Sequence, residues 1–213
     1  MSHSSLTRRT FLTGSSVTVL AGSGLLVPSL AWASPKVGAA APTFTATATT
    51  GKAVSLADYR GKVVVLEWTN HDCPYVRKHY DTSNMQTLQK ETTGQGVVWL
   101  TLISSAPGTQ GHVSPSQADE LTTSRKANPT AVLLDPTGVV GKMYGATNTP
   151  HMYVIDKGSA LVYAGAIDDR PTTRRGDVQG AQNYVREALQ AVAAGQPVKT
   201  PVTRAYGCTV KYA

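Results

Sequence analysis

A chain of 213 residues with 20 Lys and Arg against 13 Asp and Glu carries a net charge of +7, and its basic residues form no run longer than two. That scatter excludes a nucleic-acid-binding face. The two cysteines, Cys73 and Cys208, are too few for a disulfide scaffold or a cysteine zinc site.

The first predicted element is an export signal. Thr7-Arg8-Arg9-Thr10-Phe11-Leu12 resembles the twin-arginine signature. A mildly apolar stretch to Leu30 follows, and Ala31-Trp32-Ala33 supplies a small-x-small cleavage pattern. The expected organisation is a signal peptide over 1–33, one domain over 34–195 and a tail over 196–213 that carries Cys208. Left uncleaved, the same stretch would anchor the protein to a membrane; no later segment is apolar enough to span one. Cleavage removes Arg8 and Arg9, lowering the net charge from +7 to +5. The twin-arginine route carries folded proteins and would deliver this one to the oxidising periplasm, where a disulfide is permitted.

Phe44 to Ala48 and Val54-Ser55-Leu56, around Thr50-Gly51-Lys52, predict a β-hairpin at the edge of the domain. The β-branched run Val63-Val64-Val65-Leu66-Glu67-Trp68 lacks clean alternation, as expected of a strand covered on both faces. Thr69 to Asp72 turns the chain, with Asn70 or Asp72 as the cap of a helix starting at Cys73-Pro74. Met85, Leu88 and the stop at Gly94 continue that helix. Val97 to Ser104 is a second buried strand, Ser116 to Lys126 a helix, Ala131 to Leu134 a third strand and Val139 to Tyr144 a short helix. His151 to Ile155 and Ala160 to Ala164 form a hairpin across Asp156-Lys157-Gly158-Ser159, and Val178 to Ala194 closes the domain as an amphipathic helix. Helices between strands demand parallel crossovers, whereas the closing hairpin demands an antiparallel edge. The fold class is therefore α/β, a mixed central sheet with helices on both faces and an N-terminal β-hairpin extension.

Three stretches, EWTNHDCPYV, DPTGVVGKMYGATNTPHMYVID and LVYAGAIDD, in this order resemble the thioredoxin-like superfamily. The branch is that of redoxins, thiol-specific antioxidants of the AhpC/TSA type and periplasmic thiol-disulfide oxidoreductases. The resemblance implies a thioredoxin-like domain with Cys73 as the nucleophile at the strand-to-helix corner. Thr149-Pro150 takes the place of the cis-proline that holds a substrate peptide, and Pro74 and Tyr75 flank the sulfur. Val76 stands where such proteins carry a second cysteine. In peroxiredoxins the peroxidatic cysteine falls at that second place, so their constellation is not matched. Expected partners are periplasmic protein thiols and disulfides, a small thiol, or peroxide; no cofactor is expected.

The thiolate is the reactive form of cysteine, and a helix N-terminus contributes roughly 0.3–1 kcal/mol toward it. Arg77, one turn on, and His71 add positive charge, while Asp72 opposes them. Three readings of Cys208 stay open: a resolving cysteine for Cys73, a permanent clamp, or an unpaired tail thiol. His71, His79, His112 and His151 with Cys73 raise the alternative of a copper or zinc site in a non-catalytic binding module, although their spacings fit no metal signature. Asp168, Asp169, Arg170 and Asp177 read as loop charges, and Trp68 and Trp99 as core.

Overall fold

Strand β3 (Val64–Trp68) is buried along its whole length, which explains why its sequence is a continuous apolar run broken only by Glu67. The computed structural model describes Met1 and residues 34–213; the expected signal peptide lies outside the described residues. The N-terminal hairpin is β1 (Thr45–Ala48) with β2 (Ala53–Ser55). Beyond β3 come β4 (Val98–Ile103), β5 (Ala131–Leu134), β7 (His151–Ile155) and β8 (Leu161–Gly165), preceded at the site by the two-residue β6 (Asn148–Thr149). The seven-stranded sheet runs β2-β1-β5-β4-β3-β7-β8. Its three central strands are parallel and the pairs on both sides are antiparallel. The mixed sheet and the hairpin extension are those expected from the order of elements, whereas β7, although a helix precedes it, runs antiparallel to β3 and not parallel.

Alternation along β3 divides the core. Val64, Leu66 and Trp68 face Phe44, Leu100, Tyr144 and Tyr153, beneath α4 (Val139–Tyr144). Val65 faces the opposite layer with Val76, Met85, Leu88, Trp99 and Val185, contributed in part by α1 (Pro74–Asp81), α2 (Asn84–Gly94) and α5 (Tyr184–Ala193). Helix α3 (Pro115–Ser124) packs Ala118 over Ile103 and Val132. Each fully buried large aliphatic side chain contributes roughly 1.5–3 kcal/mol. Among the described residues no helix is long and apolar enough to cross a membrane.

One expected helix is two. Ser83 adopts a left-handed conformation, φ 60°, between α1 and α2. The preceding Thr82 hydroxyl donates to the carbonyl of Lys78 at 2.8 Å, and the carbonyl of Tyr80 accepts the Ser83 N–H at 3.1 Å and Gln86 Nε2 at 2.8 Å. Short polar side chains that bond their own backbone compete with helix continuation, and Asp81-Thr82-Ser83 places three of them in a row.

Candidate functional site

The site lies where β3 hands over to α1. Asn70 does not cap that helix, nor does Asp72: Asn70 Oδ1 accepts from the backbone N–H of Asp72 at 2.9 Å, closing the turn. The N-cap position falls to Cys73 itself, which makes no side-chain capping bond, and Pro74 opens the helix where its missing N–H costs nothing. The cap geometry sets Cys73 at the helix end and frees its thiol to bond elsewhere.

That bond crosses the fold. The Cys73 thiol donates to the carbonyl of Thr149 at 3.1 Å, and the Thr149–Pro150 peptide is cis. The same Thr149 lies opposite Cys208 in a short antiparallel ladder between β6 and β9 (Cys208–Thr209). Both cysteines are free. Burial first, and then the neighbouring Cys73 thiol, push the Cys208 thiol up to about 12. Cys73, Thr149, Pro150 and Cys208 are thus gathered in one place.

Although it follows a polar turn, Cys73 is fully buried, with an exposure of 0%, whereas Cys208 is half-buried. The covering layer is the tail. Tyr206 packs its ring 5.8 Å from that of Tyr75, Cys208 lies against the same apolar cluster as Cys73, and β9 pairs with the strand that ends at Pro150. Arg77 is exposed and its side chain makes no ion pair among the described residues. His71 pairs with Asp72 at 3.4 Å.

The domain also buries two polar networks. Glu67, six residues before Cys73, has 0% exposure. Its Oε2 accepts from Trp99 Nε1 at 2.8 Å, Gln89 Nε2 at 3.0 Å and Thr101 Oγ1 at 3.1 Å, and its Oε1 accepts from the Tyr80 hydroxyl at 2.8 Å. Burial raises its carboxyl above the usual carboxylate range, and the four donors partly offset that rise.

The second network joins helix α1 to the tail. Lys78 and Asp168, with side chains 0% and 1% exposed, approach to 3.5 Å between Nζ and Oδ2. Lys78 Nζ also donates to the Arg170 carbonyl at 2.7 Å and to the Tyr206 hydroxyl at 3.3 Å. The Tyr206 hydroxyl donates to Asp168 and meets His79 Nε2 at 3.1 Å. Burial lowers Lys78, with Asp168 opposing, and burial followed by the Lys78 charge holds His79 down at about 3. Asp168 is therefore no loop charge but an interior carboxylate. His79 falls on the apolar stripe with Val76 and Tyr80, the one sequence signal for its burial. Lys78 has no such signal.

No group of three or more His, Cys, Asp or Glu stands close enough to hold a metal ion among the described residues. His112 Nδ1 meets the Ser105 carbonyl at 3.2 Å. His151 stacks on Tyr153 at 4.6 Å between ring centroids.

The fold and this geometry can be set beside known proteins. The chain is similar to an uncharacterized conserved protein from Geobacillus kaustophilus, at 26% identity and a TM-score of 0.73 over 84% of this chain and 93% of that one. A hypothetical protein from Sinorhizobium meliloti 1021 superposes with a TM-score of 0.73 at 23% identity, over 85% and 97% of the two chains. The thioredoxin domain of a thiol-disulfide oxidoreductase from Bacteroides vulgatus shares the fold at 19% identity, with a TM-score of 0.50 over 68% of this chain and 97% of that one. No curated protein matches the chain. The AhpC/TSA family profile matches residues 37–164, from before β1 into β8 and across the Cys73 corner and Thr149-Pro150, so the chain belongs to the AhpC/TSA family and carries its thioredoxin-like fold.

Proposed function

We propose that the protein is a thiol-disulfide oxidoreductase working outside the cytoplasm, with Cys73 and Cys208 as its exchanging pair. The observation that carries this reading is the hydrogen bond from the Cys73 thiol to the Thr149 carbonyl at 3.1 Å, directly across the ladder from Cys208. In the reduced protein both sulfurs are thiols. Exchange with a disulfide RSSR oxidises them to a Cys73–Cys208 disulfide and releases two RSH; the reverse reaction restores the dithiol. Within that cycle Cys73 is the internal nucleophile, attacking Cys208 Sγ when that sulfur carries a partner and expelling RS⁻.

The burial of Cys73 supports this assignment, because the segment that covers it is the one carrying its reaction partner. Thr149 holds Cys73 through its carbonyl, Pro150 fixes the bend beside it, and Pro74 and Tyr75 form the rim on the helix side. Arg77, exposed one turn on, contributes charge and makes no ion pair among the described residues. The twin-arginine signature over 7–12 and the Ala31-Trp32-Ala33 pattern support export, with a domain over 34–195 and the tail 196–213 retained.

The test follows stoichiometry. Wild type treated with glutathione disulfide is expected to release two thiols per chain and to end with an internal disulfide, and neither Cys73→Ser nor Cys208→Ser can complete that second release. A Cys73→Ser protein that still released both thiols would refute the assignment.

A further inference from the structure

The tail lies where an extended polypeptide would lie. A strand edge takes a peptide by main-chain pairing, as a further strand, and the edge of β6 that leads to Pro150 is already paired with β9, Asn148 to Thr209 and Thr149 to Cys208. Asn148 Nδ2 adds a bond to the Gly207 carbonyl at 2.9 Å.

The pairing is held on both sides. Upstream, Thr203 Oγ1 accepts from the Ala166 N–H at 2.8 Å, and the Tyr206 hydroxyl reaches into the buried network of Lys78, His79 and Asp168. Downstream, the Val210 N–H donates to the Thr147 carbonyl at 3.0 Å, the Ala106 N–H to the Lys211 carbonyl at 2.7 Å and the Tyr212 hydroxyl to the Ala146 carbonyl at 2.5 Å. At Gly207, φ is +116° and a Cβ would stand 2.0 Å from the Thr149 carbonyl oxygen. The two backbones approach as closely as only glycine allows. Beneath this layer Cys73 has no exposed surface, while Cys208 keeps some.

We propose that the outside sulfur joins Cys208 and not Cys73, so that the site serves low-molecular-weight thiols and disulfides and excludes polypeptide chains. This rests on the exchange reading above. In the reducing direction a thiolate RS⁻ attacks Cys208 Sγ of the internal disulfide, the Cys208–Cys73 bond breaks, and Cys73 leaves as a thiolate that takes up a proton. A second RS⁻ attacks the partner sulfur of the Cys208 mixed disulfide, RSSR departs, and Cys208 is released and protonated. Two RSH are oxidised to RSSR and one protein disulfide is reduced. In the oxidising direction the same steps run backwards, with RSSR as the oxidant.

The full chain is tested with glutathione disulfide as the small probe and insulin as the disulfide-bonded polypeptide. Expected is capture of glutathione on Cys208 in Cys73→Ser, and reaction of wild type with insulin at least about tenfold slower than with glutathione disulfide, the ratio that a modest cost of local tail opening produces. In Cys208→Ser, Cys73 is expected to be alkylated slowly, and about tenfold or more faster once Gly207→Ala or, separately, Tyr206→Phe is added to loosen the tail. Glutathione captured on Cys73 in Cys208→Ser as fast as on Cys208 in Cys73→Ser, or insulin reacting as fast as glutathione disulfide, overturns this proposal while leaving the exchange reading intact. Absence of an internal disulfide in oxidised wild type overturns both.

Discussion

The carbonyl oxygen of Thr149 accepts the Cys73 thiol at 3.1 Å, and Cys208 faces the same Thr149 across the ladder. One residue at the end of a two-residue strand thus relates a helix-cap sulfur to a tail sulfur 135 positions further on. Thr149 does so through its carbonyl toward Cys73 and through both its ladder position and its hydroxyl, which donates to the Cys208 carbonyl at 3.4 Å, toward the tail.

Glu67 is held by four donors with no exposure. Glu67→Ala strands those donors in the interior and is expected to cost roughly 3–5 kcal/mol, by the standard of a buried network losing one partner. Glu67→Gln keeps an acceptor toward Trp99, Gln89 and Thr101 and an N–H toward the Tyr80 hydroxyl, so it is expected to cost about 1 kcal/mol or less near the acid end. The sign with pH follows from the raised carboxyl. The folded state holds its proton more tightly than the unfolded chain, so this stabilisation is complete below the ordinary carboxylate range and fades as pH rises. Urea unfolding of both proteins should show Glu67→Gln gaining on wild type from pH 4 toward pH 7, about those bounds.

The Lys78–Asp168 pair is a second measurable weight. Removing either member of this buried pair leaves the other uncompensated and is expected to destabilise by about 3–5 kcal/mol, for Lys78→Met as for Asp168→Asn, and the double variant by less than the sum of the two. Because the same cluster receives the Tyr206 hydroxyl, each single variant is also expected to raise hydrogen exchange at the backbone N–H of Val210, in β9's continuation. Denaturation midpoints and exchange mapping read the two effects separately.

What the sequence reveals and what it hides divide by range. The apolar run of β3, broken only by Glu67, the Gly- and Pro-bounded strands and the hairpin at Asp156–Ser159 are local patterns, and they carry the sheet. Cys73 and Thr149-Pro150 are found by motif, and the hydrogen bond from the Cys73 thiol to the Thr149 carbonyl joins them in space. The break at Ser83 is local too, but it depends on the Thr82 hydroxyl bonding Lys78, a competition that propensity alone leaves undecided. The tail escapes prediction for a different reason: Cys208–Thr209 is a strand of two residues with no alternation to detect. Burial of Lys78 rests on contacts with Asp168, Arg170 and Tyr206, 90 to 128 positions away, and nothing near residue 78 announces them.

Acid should weaken the fold through two histidines. His79 is held at about 3 and His151 at about 4, both chiefly by burial. The unfolded chain protonates its histidines near 6.5 while these remain neutral in the folded state, so their stabilisation is present above about pH 6.5 and is lost as pH falls through the 3–4 range. The slope is at most about 1.4 kcal/mol per pH unit for each. His151→Gln is expected to flatten the thermal-midpoint curve between about pH 6 and pH 4 relative to wild type.

Oxidation of the reduced protein should accelerate with base. With Cys208 pushed up to about 12 by burial and by Cys73, its thiolate remains scarce at neutral pH. The rate with glutathione disulfide is expected to keep rising beyond about pH 8.5, where an unperturbed thiol begins to level off. Attack by an outside thiolate on the internal disulfide carries no such requirement, and stopped-flow rates in the two directions should separate accordingly.

The central claim is that Cys73 and Cys208 exchange one disulfide at Thr149. Peptide mapping by mass spectrometry of the protein equilibrated in graded mixtures of glutathione and its disulfide tests it directly. The account predicts a Cys73–Cys208 cross-linked peptide in the monomer that appears and disappears reversibly with the ratio. Two cysteines that stay free throughout, or that join only to glutathione and never to each other, would contradict it.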